Sequence, residues 1–121
     1  MKNPDEKRTI NVTIYQINRD RDTDRVKFLA FQFLQKFQGT SKINGKIYDL
    51  VFRGAVECTD LEAVYRMFNT NKQEGFRGHS MSVSDVVQVS GSQENEDGVY
   101  YCNSIGFVKL PDDSMEGAIE A

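Results

Sequence analysis

Apolar residues recur along this chain with two different periods, and the order of those periods constrains the fold more than any other feature. The segment 10–17 places Ile10, Val12 and Ile14 at alternate positions, which is typical of a strand with one buried face. From Leu61 to Phe68 the apolar residues instead follow helical spacing. We therefore expect strands and helices that share one core.

Three further segments have the character of strands. They are residues 47–53, 84–90 and 99–110, the last with a predicted interruption near residues 104–106. In the first of them, Tyr48, Leu50 and Phe52 are expected to share one face, because side chains in a strand alternate.

Two segments are predicted to be helical. The helix that contains Leu61 and ends near Asn69 is predicted to have Thr59 as its N-cap and Glu62 at its third position, which is the spacing of a capping box. The other segment leaves two interpretations open. Residues 26–29 either start the helix or form a short strand before a helix over residues 31–38, with Gly39 placed to end it.

The resulting order, β-α-β-α-β-β, predicts a single small α+β domain with a mixed sheet and about two helices packed on it, both on one sheet face. A length of 121 residues also favours one domain. We expect a flexible N-terminal arm over residues 1–9, a folded body over 10–110 and a solvated acidic tail over 111–121. The tail holds four of the 18 acidic residues and none of the 15 basic ones, which leaves the rest of the chain near +1.

Composition argues against several classes of protein. No run reaches the roughly 18 apolar residues of a membrane span, and the first ten residues are too polar for a secretory signal, so we expect a cytoplasmic protein without membrane contact. The cysteines Cys58 and Cys102 with the single histidine His79 cannot complete a four-ligand zinc site, and we expect semi-buried reduced thiols. Residues 20–25 lack the glycine of a calcium loop. No metal or cofactor is predicted.

The window Phe76–Val87 contains the chemistry that most resembles a catalytic site. His79 could activate Ser80 or Ser82, with Asp85 as the orienting carboxylate, which would make a hydrolase. Neighbouring residues of an extended segment point to opposite faces, however. We therefore favour hydroxyls and a carboxylate that satisfy backbone groups in a tight loop.

A nucleic-acid function is the other alternative. Gly106, Phe107 and Val108 match part of an aromatic RNA-binding strand pattern, without its basic opening residue. The basic residues of segment 19–27 could contact phosphates, although three aspartates interrupt them. This hypothesis predicts salt-sensitive binding by an accessory factor of conjugative transfer or anti-restriction.

Five segments, in order and spacing, resemble the YodL-like domain family of bacteria. They are IYQIN (14–18), IYDLVFRG (47–54), LEAVYRMFN (61–69), FRGHSMSVSDVVQV (76–89) and VYYCNSIGFVKL (99–110). The motifs at Gly78–Val87 and Tyr100–Phe107 are the more specific part of this similarity.

The resemblance implies a non-enzymatic domain of unsettled molecular function, often carried by conjugative and other mobile elements or by large polyvalent proteins. Family members often have Arg at the His79 position and tend to have Asp at the Asn103 position, which argues against catalysis by these residues. We expect a protein-interaction module with an unidentified protein partner. Its predicted surface comprises Arg77, His79, Ser80, Ser82, Ser84, Asp85, Tyr101, Asn103 and Phe107.

Overall fold

Strands and helices occur along the chain in the order that the spacing of its apolar residues predicts, followed by one more strand. The computed structural model describes residues 9–38, 40, 42–71 and 73–121. Over these residues the chain forms β1 (Ile10–Ile17), α1 (Phe31–Gln38), a 3₁₀ turn (Gly45–Ile47), β2 (Tyr48–Val56), α2 (Leu61–Thr70), β3 (Val86–Ser90), β4 (Gly98–Cys102), β5 (Phe107–Leu110) and β6 (Ile119–Glu120). The predicted α+β class is confirmed, and the predicted last strand is divided into β4 and β5.

The described strands form one mixed sheet in the order β5-β4-β3-β1-β2-β6. Neighbouring strands are antiparallel, except that β2 and β6 are parallel. Strand β1 lies inside the sheet and pairs with β2 on one side and β3 on the other. Strand β1 therefore joins the two halves of the sheet.

Strand β2 contains a bulge. Leu50 and Phe52 pair with adjacent residues of β1, so Val51 is an extra residue between them. The bulge interrupts the alternation of side chains, and Tyr48 and Leu50 pack on one side of the sheet while Phe52 packs on the other. The prediction that these three residues share a face is wrong for this reason.

The two helices cover opposite faces of the sheet. Val64 and Phe68 of α2 pack in one cluster, and Leu34 of α1 packs in a second cluster with Tyr15 and Ile17. The expectation of both helices on one face is wrong, because β1 is apolar on both faces near its end. Both surfaces of the sheet are therefore largely core.

Helix α2 begins one residue later than a capping box at Thr59 would require. Its N-cap is Asp60, whose backbone is extended and whose carboxylate accepts from the Ala63 backbone N–H at 2.8 Å. Asn95 accepts from the Leu61 N–H at 3.0 Å. The Thr59–Glu62 capping box is therefore corrected to a cap by Asp60.

The segment before α1 is neither the short strand nor the helix start that the sequence left open. Residues 26–29 form turns, with Val26 buried and Phe28 in the left-handed backbone region. Helix α1 spans Phe31–Gln38 as in the second interpretation. The proposed terminator Gly39, like residues 1–8 of the predicted arm, lies outside the described residues.

The acidic C-terminal segment folds back onto the body. Met115 is buried in the α1-side cluster, and β6 pairs with Asp49 and Leu50 of β2. The four carboxylates of this segment, at residues 112, 113, 116 and 120, are exposed. The segment therefore forms one edge of the sheet and differs from the solvated appendage expected from its composition.

Both cysteines are buried free thiols that take part in packing. Cys58 and Cys102 lie in the α2-side cluster, and the Cys58 Sγ is 3.7 Å from the Met67 sulfur. Burial raises the pKa of both thiols, which keeps them protonated and poorly nucleophilic. Among the described residues no helix combines the length and apolar character needed to cross a bilayer.

Candidate functional site

The two sequence motifs meet at the end of the sheet where β1 finishes. The Ser84 backbone N–H donates to the Cys102 carbonyl at 3.0 Å, and the Cys102 N–H donates to the Asp85 carbonyl at 2.8 Å. This pairing brings the loop 77–85 beside the turn between β4 and β5. The loop and the turn, which hold most of the predicted surface residues, are therefore neighbours.

The nine predicted surface residues differ in accessibility. Ser84, Asp85 and Tyr101 are buried and cannot contact a partner directly. The half-buried members are Ser82, Asn103 and Phe107, and the exposed ones are Arg77, His79 and Ser80. Ser84, Asp85 and Tyr101 therefore support the surface as buried residues beneath it.

Gln16 organises the His79 loop. Its Nε2 donates to the His79 carbonyl at 2.8 Å and its Oε1 accepts from the His79 N–H at 3.1 Å. A Cβ atom added at Gly78 would lie 2.1 Å from Gln16 Oε1, so only glycine fits under this side chain. Sequence reasoning missed the role of Gln16, although a polar residue on the otherwise apolar face of β1 is the signal that marks it.

Asp85 lies at the centre of this buried hydrogen-bond arrangement. Its Oδ2 accepts from Gln16 Nε2 at 3.0 Å and from the Ser82 N–H at 2.9 Å. Its Oδ1 and the Ser82 hydroxyl are buried without a hydrogen-bond partner among the described residues. Burial raises the pKa of Asp85 to about 7, against the lowering effects of the Ser82 and Gln16 hydrogen bonds and of the Lys27 charge.

Ser84 connects the motif loop to the segment before α1. It is fully buried with φ of 82°, a conformation that is costly for a residue with a Cβ. Its hydroxyl accepts from the Phe28 N–H at 2.9 Å, and its carbonyl accepts from the Tyr48 hydroxyl at 2.7 Å. Ser84 therefore fixes the backbone of Phe28.

Asp22 holds the same segment from the other side. Its two carboxylate oxygens accept from the Val26 and Lys27 backbone N–H groups, each at 2.9 Å. Asp22 belongs to the segment 20–25 that lacks the calcium-loop pattern, and in the structure its carboxylate caps backbone N–H groups. We refer to Gln16, Asp22, Ser84 and Asp85 as the support network, and they are the buried polar or charged residues of the described chain.

The support network presents one aromatic ring to solvent. Phe28 is 49% exposed and has φ of 71°. The Lys27 Nζ lies 5.1 Å and the Arg19 guanidinium 5.7 Å from the ring centroid, within cation–π range. Phe28 borders a cavity of about 380 Å³ lined by Ile17, Asn18, Arg19, Asp20, Lys27, Phe28 and His79, which we call the Phe28 site.

His79 and Lys27 contact each other at the wall of this cavity. Lys27 Nζ lies 3.1 Å from His79 Nε2 and donates to the Ile17 carbonyl at 2.9 Å. With the ammonium as donor, Nε2 accepts and Nδ1 carries the proton, which it donates to the Ser80 carbonyl at 3.0 Å. Among the described residues neither ring nitrogen is hydrogen-bonded to a serine hydroxyl, so His79 does not form a nucleophile and base pair with Ser80 or Ser82.

The remaining predicted residues have structural contacts. The Arg77 guanidinium donates to the Ala121 carbonyl, beside β6. Asn103 accepts from the Phe31 N–H at 3.0 Å and satisfies the N-terminus of α1. Tyr101 is buried with its ring edge-on to Phe31. The Tyr101 ring is thus not available to stack on a base.

Comparisons with known proteins give one result. No curated protein and no solved structure matches the chain. The family model of the YodL-like domain matches residues 11–112, which include β1 from its second residue onward, β2 to β5, both helices and all residues of the Phe28 site. The chain therefore belongs to the YodL-like domain family.

Proposed function

We propose that this YodL-like domain is a non-enzymatic protein-interaction module that binds its partner through the Phe28 site. The observation that carries the proposal is the half-exposed Phe28 ring, held in a left-handed backbone conformation by Asp22 and Ser84. An apolar ring kept in solvent at a conformational cost marks a functional surface more strongly than an exposed ring on a regular helix.

The buried groups behind the ring support binding rather than catalysis. Asp85 and Ser84 are fully buried, and their polar atoms are used mainly for backbone groups and Gln16. The Nε2 atom of His79 is in contact with the Lys27 ammonium and is not free to act as a base. A cytoplasmic location and a role in a mobile element belong to the same proposal and rest on the sequence alone.

The nucleic-acid hypothesis has one supporting feature and one opposing feature. Arg19, Arg25 and Lys27 lie around the Phe28 ring and could contact phosphates. The sheet aromatics Tyr100 and Tyr101 are buried and cannot stack on bases, and Phe107 of the matched pattern is half-buried. A titration with single-stranded and duplex DNA at low salt tests it.

Affinity capture with two matched phenylalanine variants tests the proposed function. Phe28→Ala removes the ring of the site, and Phe37→Ala removes a ring of α1 that is 63% exposed. We expect wild type and Phe37→Ala to capture the same protein from cells that encode the domain, and Phe28→Ala to lose it, as measured by quantitative mass spectrometry. Equal capture by all three proteins would refute the role of the site.

A further inference from the structure

The Phe28 site contains hydrogen-bond donors that no group of the described chain uses. Arg19 contacts the Phe28 ring, and no hydrogen bond or ion pair joins its guanidinium to another described residue. The Lys27 ammonium donates two of its three N–H groups to the Ile17 carbonyl and to His79 Nε2. Its third N–H group has no acceptor among the described residues. Two cations thus lie on the same ring with donors available to an incoming acceptor.

Neighbouring carboxylates balance part of this positive charge, since Asp85, Asp22 and Asp49 raise the pKa of Lys27, but within the described residues none of them is hydrogen-bonded to the Lys27 ammonium. Asp22 accepts from two backbone N–H groups, and Asp49 pairs with Arg21 at 2.6 Å and with Asn18 at 2.9 Å. Burial is the main effect that lowers the pKa of Lys27. A carboxylate from outside would oppose that effect and restore the stability of the ammonium.

We propose that the Phe28 site recognises an acidic peptide segment of a partner protein, with one carboxylate received by Arg19 and Lys27 and an adjacent apolar side chain on Phe28. This inference rests on the proposed function and specifies its ligand. A cavity of about 380 Å³ is near the lower end of the range for ligand sites, which suits one or two side chains.

Charge distribution favours a peptide over a nucleic-acid strand. Asp20 lines the cavity, and Asp24 is exposed on the same loop. These carboxylates repel a continuous line of phosphates, whereas a single carboxylate can lie between the two cations. The site therefore suits one negative charge beside an apolar group.

Peptide titrations followed by amide NMR of the full chain test the ligand class. The probes are a terminally blocked Gly-Phe-Glu-Gly peptide, its Gly-Phe-Gln-Gly counterpart and a short oligothymidylate. We expect the Glu peptide to shift resonances of residues 17–28 and His79 and to bind about tenfold more tightly than the Gln peptide, because a charge-assisted hydrogen bond is lost. Equal binding of the two peptides, or no binding of either, would overturn the proposal, as would tighter binding of oligothymidylate.

Two arginine variants make the test specific. Arg19→Gln removes an exposed guanidinium that makes no hydrogen bond to the part of the chain that the structure describes, so the fold should persist, and we expect about tenfold weaker binding of the Glu peptide. Arg66→Gln, on the exposed side of α2, should leave that affinity unchanged. Equal loss in both variants would contradict a local carboxylate site.

The two proposals fail in distinguishable ways. If neither peptide binds while Phe28→Ala still abolishes partner capture, the interaction module stands and the acidic ligand is wrong. If Phe28→Ala leaves capture unchanged, the site is not the partner surface, whatever the peptides do.

Discussion

The α2 side of the sheet and the Phe28 site are built in opposite ways. The α2-side cluster consists of buried apolar and cysteine side chains, including Val64, Phe68 and Ile14. The support network beneath the Phe28 site contains the buried polar or charged residues of the described chain. The described non-glycine residues with positive φ, Arg25, Phe28 and Ser84, are all in or beside that site.

The difference separates stability from surface geometry. Apolar burial supplies most of the free energy of folding and specifies few orientations. Hydrogen-bonded buried polar groups contribute little net stability, but each fixes its partners in place. We therefore expect changes on the α2 side to alter global stability, and changes in the support network to alter the Phe28 site as well.

The largest effect is expected from truncation on the α2 side. Phe68→Ala removes a buried ring that lies edge-on to Phe52 and Phe76, and should lower the free energy of unfolding by about 3–5 kcal/mol. Urea unfolding measures this loss. Amide NMR of the folded variant should leave the His79 resonances nearly unchanged, and a large shift there would break the separation of the two regions.

Asp85 should make stability depend on pH. Its pKa is about 7 in the folded chain and near 3.8 when unfolded, so the folded state holds the proton more strongly. The contribution of Asp85 to the free energy of unfolding is most favourable below about pH 4. It decreases as the pH rises to about 7 and is constant above that pH, and the total change is at most about 4 kcal/mol.

Asp85→Asn supplies the comparison for this prediction. The free energy of unfolding of wild type minus that of the variant should fall between pH 4 and 7 and then level off. A difference that stays constant over this range would show that the Asp85 carboxyl titrates normally.

Gln16→Leu should lower the free energy of unfolding by about 2–3 kcal/mol, because the His79 N–H and carbonyl lose their hydrogen bonds to Gln16 and Asp85 keeps only the one from the Ser82 N–H. Hydrogen exchange should also become faster in the loop 77–85. The matched control is Gln88→Leu, an exposed glutamine of β3, for which we expect less than about 0.5 kcal/mol. Similar losses in both variants would mean that Gln16 acts only through its position in the sheet.

The smallest effect concerns the backbone beside the site. Arg25 is exposed with φ of 55°, so Arg25→Gly should raise stability by about 0.5–1 kcal/mol. Asp24→Gly, at a neighbour whose φ is not positive, should lower it slightly. Thermal unfolding of the two glycine variants shows whether the left-handed conformation of Arg25 is strained. Equal losses of stability in both variants would show that it is not.

The sequence predicted the parts of the fold that depend on local periodicity. β1, α1 and α2 are confirmed because their apolar residues recur at the spacing of the element they form. The bulge at Val51 and the turns over residues 26–29 were missed, since both depend on partners distant in the chain: β1 for the bulge, and Ser84 for Phe28.

The candidate site could be predicted in part. The motif loop was found through its unusual residue types, but the position of Phe28 was not, because an aromatic residue in an apolar run gives no indication of exposure. Gln16 interrupts an apolar face and could have been identified. Its partners His79 and Asp85 could not, because the sheet order brings them together.

The interior position of β1 has a consequence for synthesis of the chain. β1 leaves the ribosome before the other described strands, yet Asn11 pairs with Ser90 and Ile10 with Val56, so one of its edges stays open until β3 has emerged. Such distant pairing raises the contact order and slows folding. Until β3 is available, the nascent domain therefore carries an apolar strand with one unpaired edge, which is a template for aggregation.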